Sequence, residues 1–177
     1  MNELNPDHKT ILIGIGNDGR GDDALGWLFA DQFADNSALE VAYRYQLQIE
    51  DAALIGQYDC VVFVDASLPT IETGFYFQKC QPEASMHFST HRIDPATILW
   101  LAKEIYQAST VGYVLAIQGY EWGLHQGLSA AAAQNLEKSV GYFRQALSTA
   151  FTPPLALMNE KFVQPIHTSF AGPDTKK

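Results

Sequence analysis

Three short stretches of this chain concentrate side chains able to hold a cation or move a proton. They are Gly16-Asn-Asp-Gly-Arg-Gly-Asp-Asp23, Asp65-Ala-Ser67 and Ser89-Thr-His91. Two carboxylates, Asp23 and Asp65, and one imidazole, His91, make a donor set suited to a divalent transition ion of borderline softness, such as Ni²⁺ or Zn²⁺. Three protein ligands leave coordination positions open for water or substrate, as catalytic sites require and closed structural sites do not. Each residue also has an ordinary alternative. Asp23 suits a first-turn acid favoured by the helix dipole, Asp65 a turn cap after a buried strand, and His91 a surface histidine. The case for a site rests on the three together.

Other chemistry-bearing patterns are weaker. His87 and His91 have the HxxxH spacing, but the glutamate of a zincin HExxH is missing, and Asp94-Pro95 places the pair before a helix rather than on it. His125 follows a late strand and is within reach of a crevice there. His8 and His167 belong to no motif. Gly14-x-Gly16-x-x-Gly19 formally matches a dinucleotide-binding fingerprint, which keeps a nucleotide-binding module or oxidoreductase open as an alternative. Against it, Asp18, Asp22 and Asp23 would crowd a pyrophosphate, and the second strand lacks the terminal acid that binds a ribose. No GxSxG elbow marks a serine hydrolase.

The elements that must position these residues follow from periodicity and punctuation. Thr10–Gly14 and Cys60–Val64 are apolar, β-branched runs of the kind buried on both faces of a sheet. Further strands are expected at Val41–Tyr45, Gly74–Lys79 and Gly112–Gln118. Asp22 reads as the N-cap of a helix over 23–34, and a short helical segment is expected around Asp51–Gln57. Asp94 followed by Pro95 opens a helix to about Tyr106. Ser129 caps a long amphipathic helix to about Thr149.

This order predicts a single-domain, three-layer α/β/α fold with a mostly parallel, twisted sheet and room for one antiparallel strand. The domain is expected over 1–152, with a partly irregular tail over 153–177. In such sheets ligands bind beyond the carboxyl ends of the strands, where the strand order reverses.

Composition narrows the function classes. At 177 residues and 47% hydrophobic, the chain suits one well-buried core. The formal charge of −9 and the scattered lysines and arginines argue against a nucleic-acid partner. Apolar stretches such as Cys60–Val64 fall far short of the ~20 residues that span a bilayer. The polar start, MNELNPDHKT, lacks the apolar region of a secretory signal, so a cytoplasmic protein is expected. Cys60 and Cys80 form no CxxC and are expected to be free thiols.

The motifs taken in order resemble the hydrogenase maturation endopeptidases. In that family a first strand ends in Gly-x-Gly-Asn, followed by a short loop, an acidic pair and a glycine. Here Gly14-Ile15-Gly16-Asn17 leads to Asp22-Asp23-Ala24-Leu25-Gly26. The family's second metal ligand, an aspartate ending an apolar strand, is matched by Val61-Val62-Phe63-Val64-Asp65-Ala66. Its third, a histidine before a helix, is matched by Ser89-Thr90-His91-Arg92-Ile93-Asp94-Pro95. The late segments Ile117-Gln118-Gly119-Tyr120-Glu121 and Gly127-Leu128-Ser129 are also similar, so the resemblance spans about residues 10–150.

It implies an endopeptidase that removes a C-terminal extension from a nickel–iron hydrogenase large-subunit precursor after nickel insertion. On that reading Asp23, Asp65 and His91 are both the metal contacts and the catalytic set. The nickel is carried by the substrate, other divalent ions such as Zn²⁺ or Cd²⁺ bind in vitro, and the protein acts as a monomer. A non-catalytic metal-binding relative is the further alternative. One segment departs from the family: Tyr45-Gln46-Leu47-Gln48-Ile49-Glu50 stands where many members carry an Asp-Gly-Gly-Thr-like loop. It is similar to the branch serving soluble, bidirectional hydrogenases.

Overall fold

In the computed structural model of the chain, residues 9–84 and 93–149 are described. Strand β1 (Thr10–Ile15) leads through a 3₁₀ turn (Gly21–Ala24) into helix α1 (Leu25–Asp31). Next come β2 (Leu39–Arg44), the short helix α2 (Asp51–Ile55), β3 (Cys60–Ser67) and β4 (Phe75–Cys80). Helix α3 (Pro95–Tyr106), β5 (Val111–Gln118) and α4 (Ala130–Thr149) complete the order.

The five strands form one sheet in the order β2-β1-β3-β5-β4. All neighbours run parallel except β4 and β5, which pair antiparallel with Tyr76 opposite Ala116. The α/β class, the mostly parallel sheet and its single antiparallel strand are therefore as the sequence predicts.

Alternation along the strands divides the interior in two, because successive side chains point to opposite faces. Leu12, Val62, Val64, Leu115 and Ile117 pack with Leu25 and Phe29 of α1 and with Val140 and Phe143 of α4. Ile11, Ile13, Ile15, Val61 and Phe63 pack on the other face with Ala52 and Ile55 of α2 and Ile98, Leu99 and Ala102 of α3. The layers are thus α1 with α4, the sheet, and α2 with α3. Phe29, Phe33 and Phe143 join α1 to α4, with ring centroids 5.1–5.6 Å apart.

The helix ends show how far local signals reach. Asp94 caps α3 by accepting the Thr97 amide at 2.7 Å, with Pro95 at the first helical position. Ser129 Oγ accepts the Ala132 amide at 3.2 Å at the start of α4. At α1 the expectation fails. Asp22 is not an N-cap; it lies inside the 3₁₀ turn, which Arg20 precedes without a side-chain cap, and the α-helix begins only at Leu25 and ends at Asp31. The Asp22 side chain is drawn instead into contacts distant in sequence, described below. The tail expected over 153–177 lies outside the described residues, and among those described no helix is long and apolar enough to cross a membrane.

Candidate active site at the carboxyl ends of β1 and β3

The chain moves outward from β1 to β2, then returns past β1 to place β3 on its other side. The reversal lies between β1 and β3, so the crevice expected of this architecture opens at their carboxyl ends. Asp23 and Asp65 are the acidic residues that the sequence reading placed there.

Asp23 reaches this position through a loop that closes on itself. The Asn17 amide donates to the Asp23 carbonyl at 3.1 Å, the Asp23 amide to the Arg20 carbonyl at 3.2 Å, and the Gly19 amide to Asn17 Oδ1 at 2.9 Å. Gly16 holds φ at +144°, and a Cβ there would run into the Asp23 carbonyl oxygen. A glycine is needed at that point for both reasons. Gly26 then lets α1 press against the strand ends, since a Cβ on it would collide with the Ile15 carbonyl and stand 2.5 Å from the Val64 carbonyl. Asp23 itself is half-buried.

Asp65 does not follow β3, as expected, but lies within it. The strand continues to Ser67, and Asp65 pairs with Ala116 of β5. Longer pairing with β5 than with β1 accounts for the difference: β1 accompanies β3 only as far as Val64. Val62, Val64 and Ala66 belong to the core beneath α1 and α4, so alternation puts Asp65 on the α2–α3 side of the strand. Its Oδ1 accepts the Ala66 amide at 2.8 Å. The Tyr76 hydroxyl is pushed above its ordinary range by burial first and then by the Asp65 charge.

His91 and its neighbours Ser89 and Thr90, like His87, lie outside the described residues, as do His8 and His167. Among the described residues no group of three His, Cys, Asp or Glu is placed to hold a metal ion. The expected triad contributes only Asp23 and Asp65 to that set. Ile93, the next described residue, directly precedes the Asp94 cap of α3.

Two further features border the crevice. His125 lies against the 3₁₀ turn: its carbonyl accepts the Gly21 amide at 2.7 Å, and a Cβ on Gly21 would stand 2.9 Å from its Nε2. Its ring is 3.8 Å from the Glu121 carboxylate. On the other side, the Arg44 carbonyl accepts both the Gly16 amide at 2.9 Å and Trp27 Nε1 at 3.0 Å. Arg44 Nε bonds the buried Asp51 carboxylate at 2.8 Å, and Asp51 also accepts the Gln48 amide at 2.9 Å, which fixes the loop after β2.

The residue whose role the sequence reading missed is Asp22. It is fully buried, and its Oδ2 accepts the amides of Tyr120 (2.7 Å) and Glu121 (2.9 Å) and the Ser129 hydroxyl (2.7 Å). Its Oδ1 accepts the Ser129 amide at 2.7 Å. Burial pushes this carboxyl upward, but the hydrogen bonds from Glu121, Tyr120 and Ser129 outweigh it and hold it below the ordinary carboxylate value of 3.8. With partners 98 to 107 residues away, no local signal could have revealed this role. The same geometry removes the dinucleotide fingerprint: Gly19 opens no helix, and the glycine packed between helix and strands is Gly26.

No protein-family model matches the chain, and no curated protein sequence does. Solved structures do match. The hydrogenase maturating endopeptidase HybD from E. coli superposes with a TM-score of 0.64 at 14% identity, over 80% of this chain and 93% of that one. The [NiFe] hydrogenase maturation protease HycI from Thermococcus kodakarensis gives 0.61 at 24% identity, over 79% and 92%. The hydrogenase 2 maturation peptidase from Thaumarchaeota archaeon SCGC_AB-539-E09 gives 0.58 at 15% identity, over 80% and 99%. Because these chains are matched almost end to end, the likeness is to whole proteins rather than to a shared βαβ unit. The chain has the fold of the hydrogenase maturation endopeptidases.

Proposed function

We propose that this protein is a processing endopeptidase that removes the C-terminal extension of a nickel–iron hydrogenase large-subunit precursor once nickel has been inserted. The observation that carries the reading is the pairing of that fold with two carboxylates, Asp23 and Asp65, beside the strand reversal. His91 is the third member of the set by its place in the sequence motif. Two carboxylates and an imidazole are an appropriate donor set for Ni²⁺, and Zn²⁺ or Cd²⁺ would share it in vitro.

Nickel here is part of the substrate. When engaged, it supplies Lewis acidity toward the scissile carbonyl or the attacking water. The chain's own share is to present the two carboxylates from fixed backbone: Asp23 from a loop hydrogen-bonded at both of its ends, Asp65 from a strand paired to β5. Metal-dependent recognition would also prevent cleavage before the large subunit is loaded. The partner is the precursor itself, met by a monomer in the cytoplasm.

The test is conversion of the cognate precursor to its mature size, followed by electrophoresis and intact mass, with and without nickel. Conversion of the loaded precursor alone is expected. Efficient cleavage of nickel-free precursor would overturn metal recognition. Absence of cleavage in a loaded cognate precursor would leave a non-catalytic metal-binding relative as the reading.

A further inference from the structure

We infer that Asp22 is a positioning residue, whose buried carboxylate clamps the loop after β5 onto the loop after β1 and thereby fixes Asp23 at the crevice. As a statement about catalysis, this rests on the processing reading above.

Among the described residues, every hydrogen-bond partner of the Asp22 side chain belongs to the segment 120–129 and none to its own turn. The backbone repeats the connection, since the Asp22 amide donates to the Glu121 carbonyl at 2.8 Å and the Gly21 amide to the His125 carbonyl at 2.7 Å. The two loops are therefore joined in both directions, with donors and acceptors on each. Gly119 permits the approach: a Cβ there would stand 2.8 Å from Asp22 Cβ and 3.0 Å from the Trp122 ring.

A carboxylate serving only as a helix cap would bond its own helix. This one bonds a remote loop, and the next residue along the chain is Asp23. In a 3₁₀ turn consecutive residues are held by the same short-range bonds, so a shift of Asp22 moves Asp23 with it. The clamp also brings Glu121 and His125 to the turn that carries Asp23.

The test compares the full-length protein with Asp22→Asn and with Ser129→Ala, which removes one of the four bonds together with the Oγ cap on the Ala132 amide of α4. Amide hydrogen exchange is read residue by residue by NMR, under conditions where circular dichroism shows each variant folded. In Asp22→Asn, protection at Tyr120, Glu121 and Ser129 should fall by about tenfold or more, as expected for the loss of a charge-assisted bond. Protection at Asn17 and Asp23, whose bonds close the other loop, should fall with it. Ser129→Ala should move the same amides by less. Unchanged exchange at Asn17 and Asp23 in both variants would overturn the coupling.

Turnover of nickel-loaded precursor, normalised to the folded fraction of each variant, supplies a readout that loss of stability alone does not move. Per folded molecule the variants should lose kcat and gain KM together, because a misplaced Asp23 meets the substrate's nickel poorly both on binding and in the reacting state. Full kcat in Asp22→Asn would overturn the positioning role. If the wild type processes no loaded precursor, the processing reading falls by itself. The exchange pattern at Asn17 and Asp23 then still supports or overturns the clamp.

Discussion

Gly14 on β1 and Gly26 on α1 are in such close contact that a Cβ on Gly14 would stand 2.5 Å from the Gly26 carbonyl oxygen and 2.9 Å from Ala30 Cβ. Helix α1 lies directly on the strand, with no side chain between them at this point. The 3₁₀ turn bearing Asp22 and Asp23 immediately precedes α1, so this contact sets where the turn can lie.

Gly26→Ala should therefore act on both stability and the candidate site. Its Cβ would meet the backbone of Ile15 and Val64, which no rotamer change relieves. Overpacking of this kind costs about 1–3 kcal/mol. Chemical denaturation should show that loss, and divalent-ion binding at Asp23 should weaken in the folded variant. A midpoint equal to the wild type's would mean that α1 can back away freely.

Asp22→Asn should cost about 2–4 kcal/mol at neutral pH. An amide turned either way sets its N–H₂ against a backbone N–H, of Ser129 on one side or of Tyr120 and Glu121 on the other. The pH dependence follows from the depressed carboxyl. The unfolded chain takes up the proton near the ordinary 3.8, the folded chain only at lower pH, so the stabilisation is complete well above 3.8 and is lost as pH falls through the folded value. Denaturation from pH 7 down to 2 should show the gap between wild type and variant narrowing below about pH 4. A gap that stayed constant would mean that the folded carboxyl is not depressed.

The architecture was legible in the sequence because it depends on short-range features. The β-branched runs around Leu12 and Val62, the Asp94-Pro95 cap and the Ser129 cap each act over a few residues, and each element formed where they pointed. The edges of the site were less legible. Asp65 looked like the residue after a strand because the apolar run stops at Val64, whereas β5 pairs with β3 through Ser67. Asp22 looked like a cap because an acid before helical periodicity usually is one. Its partners lie beyond residue 119, and tertiary hydrogen bonds prevailed over the local preference. His91 lies among residues 85–92, outside those described, and the motif spacing is what speaks for it.

Both cysteines should be present as thiols and should react slowly at neutral pH. Neither is paired, and burial above all pushes each thiol up to about 12, with the Asp94 and Glu83 charges adding to the effect at Cys80. The thiolate is the reacting species, so little of it is available. Mass spectrometry after timed alkylation of folded and denatured protein is the check. Fast labelling of Cys60 in the folded state would mean that the start of β3, between β1 and β5, opens readily.

The last prediction tests the candidate ligands one at a time. Asp23→Asn and Asp65→Asn keep the size of each side chain and replace a carboxylate by a neutral amide, a poor ligand for Ni²⁺; His91→Ala removes an imidazole. If the three share one coordination sphere, each change should weaken Ni²⁺ or Cd²⁺ binding to the isolated protein by at least about 10–100-fold, the range seen when even outer-shell support of a metal ligand is lost. The double variants then decide whether the sphere is shared. Ligands of a common ion are coupled, so Asp23→Asn combined with His91→Ala should lose much less than the product of the two single effects. Independent sites would give that product. Titration calorimetry supplies the affinities, and the same variants in the precursor assay should process nickel-loaded substrate poorly while denaturing at midpoints near the wild type's. Loss of metal binding in the two aspartate variants, with His91→Ala unaffected, would take the histidine out of the site and leave Asp23 and Asp65 needing a ligand from outside the described residues.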